Sequence, residues 1–179
     1  MNYLTTCPSP AGTLTLTSDG EALTGLWIEG QKYFLSTSRD LIEKNDDLAV
    51  FRSARDWLER YFAGKKPDIG ELVLHPAGSP FRQTIWQLLC RIPYGETTTY
   101  GALAREAAKQ LNRSTMSAQA AGGAVAHNPI SIIIPCHRVV GTDGSLTGYA
   151  GGIDLKIQLL KLEGADLSKL YIPKNSTAS

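Results

Sequence analysis

Leucine and threonine alternate from Thr13 to Thr17, with Leu14 and Leu16 on one side of the chain. A period of two marks a half-buried strand. Asp19-Gly20 follows as a turn dipeptide, and Leu23, Leu26, Trp27 and Ile28 supply the return strand. From Ser36 to Asp47 the chain is polar and shows little period. Between Leu48 and Ala63 the spacing lengthens, and Val50, Ala54, Trp57, Leu58 and Tyr61 fall on one helical face. Gly64 and Pro67 mark where that helix stops. Leu72-Val73-Leu74 reads as a short strand, and His75-Pro76-Ala77-Gly78 as a linker.

Ser79-Pro80 opens the second half with an N-cap and a first-turn proline. Phe81, Ile85, Leu88 and Leu89 give the next helix its apolar face, and Ile92-Pro93-Tyr94-Gly95 ends it. A helix from Thr99 to Gln110 turns Leu103 and Ala107 inward. After the polar loop Asn112 to Thr115, a further helix runs from Met116 to His127. Two helices joined by a short polar turn suggest a helix-turn-helix. The second is almost all alanine and glycine. Such a surface lets its backbone approach a partner closely, or lets it pack tightly on the core; both readings stand on the helix alone. Asn128-Pro129 stops it. Ser131 to Ile134 reads as a buried strand, Pro135 ends it, and Cys136-His137-Arg138 sits at its mouth. Thr147 to Gly152 is a Gly-rich loop, and Asp154 to Glu163 a closing helix with Leu155, Leu159 and Leu162 inward and Gly164 as its cap.

The pattern predicts an α+β fold in two parts. Residues 1–78 form a small α/β support domain with an antiparallel sheet. Residues 79–179 form a mostly helical domain carrying the helix-turn-helix and a candidate active-site cysteine. Composition agrees with a globular chain: 42% hydrophobic and 20% charged. Net charge is +1, so bulk charge does not announce a nucleic-acid partner, and DNA binding would need a local face. Cys7, Cys90 and Cys136 are odd in number and widely spaced, which argues against a disulfide framework and a cysteine-rich zinc site. The first residues lack a signal-peptide pattern. No apolar run approaches the roughly 20 residues that span a bilayer. The expectation is therefore a cytoplasmic monomer with no membrane partner, no metal and no cofactor.

The chemistry centres on Cys136. A thiolate is the nucleophile, and an unperturbed thiol with pKa near ~8.5 is only partly ionised at neutral pH. His137 is a base adjacent in sequence, yet neighbours on an extended chain point opposite ways. Contact needs a turn or a bridging water. Pro-Cys-His alone fits a nucleophile or a buried structural cysteine equally well.

The longer segment Ile134-Pro135-Cys136-His137-Arg138-Val139-Val140 resembles the active-site signature of the O6-alkylguanine-DNA alkyltransferases. Phe81 to Trp86, Ile92 to Thr97, Tyr100 to Ala104, Asn128-Pro129, Thr147 to Gly152 and Lys156 to Gly164 agree with that family in order and spacing. The likeness is weaker over the N-terminal half, where Ser9 to Gly12 and Tyr61 to Gly64 are the main echoes. The resemblance implies single-turnover repair of double-stranded DNA containing O6-alkylguanine, with O4-alkylthymine as a second candidate substrate. Cys136 would accept the alkyl group, His137 would act as its base through a water, and Glu163 would orient the histidine. Tyr100 would donate to the guanine ring nitrogen, and Asn128 would brace the pocket turn. The backbones of Cys136, Val139 and Ala150 would read a flipped base, with Tyr149 as the pocket wall. Gln119, Ala120, Gly123, Ala124, Tyr100 and Arg138 would meet DNA, the Ala/Gly helix lying in the minor groove.

The sequence departs from that pattern at Gln119, nine positions before Asn128, where the family carries an arginine that replaces the extruded base in the stack. The stretch from Gln110 to Ser117 is also several residues longer than usual, and Arg113 within it is a candidate substitute. Cys7 and His75 are too few for the zinc site of the family's metal-binding members. Two rival readings remain at this level: a Cys-His-Glu hydrolase with turnover, and a helix-turn-helix binder without chemistry.

Overall fold

The computed structural model describes residues 1–38 and 42–174. They form two compact units, one of Met1–Ala77 with Pro129–Ile133, the other of Gly78–Asn128 with the chain from Ile134 onward.

In the first unit, β1 (Asn2–Cys7), β2 (Leu14–Ser18) and β3 (Leu23–Ile28) make an antiparallel meander. Asp19 shapes the β2–β3 turn by accepting from the backbone of Glu21 and Ala22 at 2.9 and 2.8 Å, and Gly20 takes the left-handed φ of +103° that the turn needs. A short β4 (Ile42–Lys44) adds to β1 in parallel, giving the order β3-β2-β1-β4. The sheet is thus mixed, one strand beyond the antiparallel expectation. β2 is buried on both faces, threonines included, rather than half-buried. Its Thr17 hydroxyl accepts from Thr24 at 3.1 Å, which offsets the cost of burying it.

Helix α1 (Ala49–Phe62) packs Phe51, Ala54, Trp57, Leu58 and Tyr61 inward, with Phe51 rather than Val50 in the stripe. The strand expected over 72–74 reduces to a single bridge, Leu74 beside Leu23. Pro129–Ile133 extends the sheet by one bridge: the Leu26 N–H donates to Pro129 O and the Ser131 N–H to Leu26 O, at 2.9 and 3.1 Å.

That segment is not the strand expected over Ser131 to Ile134. Ile132 has φ +69°, and the Ile133 N–H donates to Ser131 O at 2.8 Å, two residues back. This is a tight γ-turn of the rare, strained kind. Burial is complete, as an apolar run demands, but the backbone reverses instead of extending.

The second unit holds α2 (Pro80–Leu89), β5 (Thr98–Thr99), α3 (Tyr100–Gln110), α4 (Ala118–Ala126), β6 (Val139–Val140) and α5 (Ile153–Leu162). Ser79, Thr99 and Ser117 cap α2, α3 and α4, each side-chain oxygen accepting from a backbone N–H of the first turn. Helices α3 and α4 pack as a pair across residues 111–117, in which Asn112 turns the chain with φ +54°. The Trp86 indole donates to Ala124 O at 2.9 Å and ties α4 to α2. Strands β5 and β6 pair in parallel, Thr98 with Val139. Beside them, Val140, Leu146 and Leu160 form a core cluster that Ile153, Ile157 and Leu170 complete.

Candidate active site

The site starts from two consecutive turns. Pro135, with φ −82° and ψ 65°, centres an inverse γ-turn closed by the Cys136 N–H on Ile134 O at 2.8 Å. Cys136–Arg138 then form one turn of 3-10 helix, all three side chains buried. Asn128 braces this arrangement: its amide donates to Ile134 O at 2.8 Å, and its side chain also hydrogen-bonds the Cys136 thiol.

Cys136 is 5% exposed. Burial pushes its thiol up, and four influences oppose that: the Asn128 bond, the Lys156 charge, and the backbone N–H groups of Cys136 and His137. His137 is fully buried, and its Nε2 meets Glu163 Oε2 at 2.6 Å. Burial holds its imidazole below the ordinary range, against the pull of Glu163. Burial alone would raise Glu163; bonds from His137 and Arg138 instead hold it down to about 2. An ionised carboxylate only accepts, so Nε2 carries the proton and neutral His137 keeps a basic lone pair on Nδ1. Among the described residues Nδ1 has no hydrogen-bond partner. The tautomer is therefore set by Glu163, and the basic nitrogen is the one left for chemistry.

Arg138 supplies the rest of this network. Its Nε donates to Glu163 Oε1 at 2.7 Å, its Nη2 to Oε2 at 3.2 Å, and its Nη1 to Ile92 O at 2.5 Å. It also lies over the Tyr94 ring, 5.8 Å from the centroid. This corrects its expected place on a DNA-contacting face: the guanidinium is committed inward, where an unpaired buried carboxylate would be costly.

Ala124 requires a similar correction. It is buried at 3%, on the side of α4 that receives Trp86, whereas Gln119, Ala120 and Gly123 are exposed. Tyr100 is half-buried, and its hydroxyl donates to Thr147 O at 3.0 Å. Val139 is buried, Ala150 half-buried, and Tyr149 is buried with its ring edge-on to His137.

Lys156 escaped the reading of function. It is completely buried, and Nζ donates to Val139 O at 2.5 Å and Thr147 O at 3.0 Å. Burial lowers it to about 8, with Cys136 pulling the other way. A signal was available: Lys156, Leu159, Leu160 and Glu163 lie at i, i+3, i+4 and i+7 and are all buried, so two charges sit on the inner stripe of α5. Leu155 and Leu162, expected inward, are only half-buried. Among the described residues no group of three or more His, Cys, Asp or Glu could hold a metal ion, and no helix is long and apolar enough to cross a membrane.

Residues 80–165 match the family model for the DNA-binding domain of 6-O-methylguanine DNA methyltransferase, and residues 2–76 that for its ribonuclease-like domain. The chain is 45% identical over 161 residues to the methylated-DNA–protein-cysteine methyltransferase of Haemophilus influenzae, covering 90% of this chain and 86% of that one. It is 43% identical over 163 residues to the protein of that name from Mycobacterium tuberculosis, covering 91% and 93%. Among solved structures it resembles the M. tuberculosis O6-methylguanine methyltransferase, with TM-score 0.75, 40% identity and 97% of each chain covered. It also resembles M. tuberculosis OGT in complex with DNA, with TM-score 0.76, 42% identity, and 90% and 92% covered.

Proposed function

Because the chain belongs to the 6-O-methylguanine DNA methyltransferase family, we propose that it takes the alkyl group of O6-alkylguanine in double-stranded DNA onto its own Cys136 and is consumed by that single transfer. The observation that carries this reading is the locked imidazole: Glu163 holds the proton on Nε2 of His137, one residue from a buried thiol. A water between Cys136 Sγ and His137 Nδ1 takes the thiol proton to the imidazole, and Glu163 stabilises the resulting cation. The thiolate attacks the alkyl carbon. A sulfur–carbon bond forms, the carbon–O6 bond breaks, and the electron pair leaves on guanine. The thioether has no easy leaving group, so the acceptor is not restored.

The leaving base needs a proton donor, and Tyr100 fills that role. Its hydroxyl proton is held by Thr147 O in the free protein. Donation to the guanine ring nitrogen exchanges that partner, while Lys156 keeps its own bond to Thr147 O. The target atom lies inside a duplex, so the nucleotide is extruded. The exposed face of α4, with Gln119, Ala120 and Gly123, enters the minor groove, where small residues allow close approach. The backbones of Cys136, Val139 and Ala150 read the extruded base, with Tyr149 as the wall. O4-alkylthymine undergoes the same displacement.

Incubation with duplex DNA containing O6-methylguanine tests this. The peptide carrying Cys136 should gain the mass of one methylene, with at most one equivalent transferred. Repeated product release would identify a hydrolase, and bound DNA without the mass gain a binder. Oligonucleotides with O4-methylthymine extend the same assay. Gln119 is shorter than arginine and uncharged, so duplex binding is weaker or base extrusion slower, while the Cys136 chemistry is kept. Gln119→Arg should tighten duplex binding about tenfold and steepen its salt dependence by about one charge. Unchanged binding and unchanged repair rate would refute that assignment.

A further inference from the structure

Tyr149 carries a polar atom that the alkyl-transfer scheme does not use. The residue is 5% exposed. Its ring meets His137 edge-on, with centroids 6.3 Å apart and planes at 73°. Its hydroxyl is buried and has no hydrogen-bond partner among the described residues. Folded proteins rarely leave such a group unmet, because its lost hydration is not returned. The acceptors of this cluster serve other donors. Glu163 is shared by His137, Arg138 and the Gly95 N–H, and Thr147 O by Tyr100 and Lys156.

The backbone that carries the ring is held in a turn. Gly152 N–H donates to Tyr149 O at 3.0 Å, closing a turn, and Gly148 and Gly152 flank it with φ of +76° and +93°. Burial, then the charges of Cys136 and Glu163, push the phenol well above its ordinary value. It therefore remains a donor throughout the physiological range. The Tyr149 side chain thus lies within electrostatic reach of the acceptor sulfur, with its ring edge-on to the imidazole.

We propose that the Tyr149 hydroxyl is a specificity-determining group that favours O6-alkyl substituents ending in a neutral hydroxyl, with O6-(2-hydroxyethyl)guanine as the model ligand. This rests on the alkyl-transfer reading above. An apolar substituent of equal size leaves the phenol unmet, whereas a terminal hydroxyl accepts from it, and sites of this kind discriminate by the unpaired group they are left with. A neutral group suits the surroundings, since a carboxylate would meet both Glu163 and the thiolate. In the reaction, sulfur bonds to the first carbon of the substituent, the carbon–O6 bond breaks with its pair on guanine, and the terminal hydroxyl travels unchanged onto Cys136. The phenol only hydrogen-bonds and keeps its proton.

Single-turnover rates on duplexes carrying O6-methyl-, O6-(2-hydroxyethyl)- and O6-n-propylguanine test this, with transfer read as the mass of the Cys136 peptide. The two larger groups differ only by hydroxyl for methyl. The ratio of the hydroxyethyl rate to the propyl rate should fall about tenfold in Tyr149→Phe, and using a ratio cancels any loss common to both substrates. An unchanged ratio overturns the proposal, as does a wild type that accepts methyl but refuses hydroxyethyl. If the variant does not fold, competition between the two adducts for wild-type protein decides. Preference for hydroxyethyl supports the proposal, and preference for propyl overturns it. A wild type that gains no methyl overturns the alkyl-transfer reading, and this inference with it.

Discussion

Each unit holds an arginine astride a glutamate, and the two pairs differ most in burial. In the first, Arg60 Nη1 donates to Glu71 Oε1 at 3.1 Å, its Nη2 meets Oε2, and its Nε reaches Asp56 at 3.0 Å. In the second, Arg138 also sets two nitrogens, Nε and Nη2, against the two oxygens of Glu163, which His137 and the Gly95 N–H share. The side chains of the Arg60–Glu71 pair are 32% and 45% exposed; those of Arg138–Glu163 are 10% and 0%. Water competes for the outer pair at every moment, so its geometry does little for stability. The inner groups have lost their hydration and depend on one another. Burial, not the fork itself, turns a common ion pair into a device that fixes which nitrogen of His137 is basic.

The largest test of that difference is Glu163→Gln. The amide is nearly the same size but leaves Arg138 and His137 facing a neutral group, one end of which is itself a donor. Breaking a buried pair costs about 3–5 kcal/mol, and a loss of that order should appear in denaturant unfolding. Alkylation of Cys136 should slow by about a hundredfold or more, since the imidazole loses its orienting partner. Wild-type stability and rate in this variant would break the comparison.

Acid sharpens it further. Glu163 is depressed from 4.5 to about 2. A depressed carboxyl contributes stability that is complete above its unfolded value and lost as pH falls through its folded one. His137 acts in the same direction: burial lowers it from 6.5, so below that value the unfolded imidazole binds a proton that the folded one refuses. Stability should therefore begin to fall below pH 6.5 and fall further between 4.5 and 2. Glu163→Gln should remove the lower part of the curve. Glu71 is also lowered by Arg60, but its exposure leaves it screened, and Glu71→Gln should leave the acid curve in place.

The inner cluster was largely legible from residues, and the exceptions have physical reasons. Ser79-Pro80, Asp19-Gly20 and the stripe on α1 act locally, so their elements follow from a few neighbours. Strand β4 depends on pairing with β1, some forty residues away in the chain (Asn2 beside Ile42), and a three-residue strand such as Ile42–Lys44 has no period to read. Ile130 to Ile134 is buried as its composition requires, but burial alone does not distinguish a strand from a turn. The left-handed Ile132 is a backbone choice that a β-branched residue normally argues against. Helix α4 offers no contrast of large and small side chains, so nothing in its sequence says that Ala124 faces in while Ala120 faces out. Arg138 and Lys156 carry charges that read as surface or phosphate-binding groups. Only the inward stripe of α5 shows where Lys156 and Glu163 lie, and only the fold shows that Arg138 joins them.

Arg60→Ala carries the smallest expected effect and constrains the comparison from the other side. Removing Arg60 frees Glu71 and Asp56 into water they already touch, since their side chains are 45% and 67% exposed. No buried charge is left behind, so the unfolding midpoint should not shift measurably, and the rate of Cys136 alkylation should match wild type. Raising salt should weaken the pair in the wild type without changing its midpoint, because exposed charges are screened over about 8 Å at physiological ionic strength. Both arginines set two guanidinium nitrogens against the two oxygens of a carboxylate, so pairing alone predicts similar losses for Arg60→Ala and Glu163→Gln, whereas burial predicts a wide gap. A loss at Arg60 comparable to that at Glu163 would mean that the fork, and not its dry surroundings, holds the second cluster together.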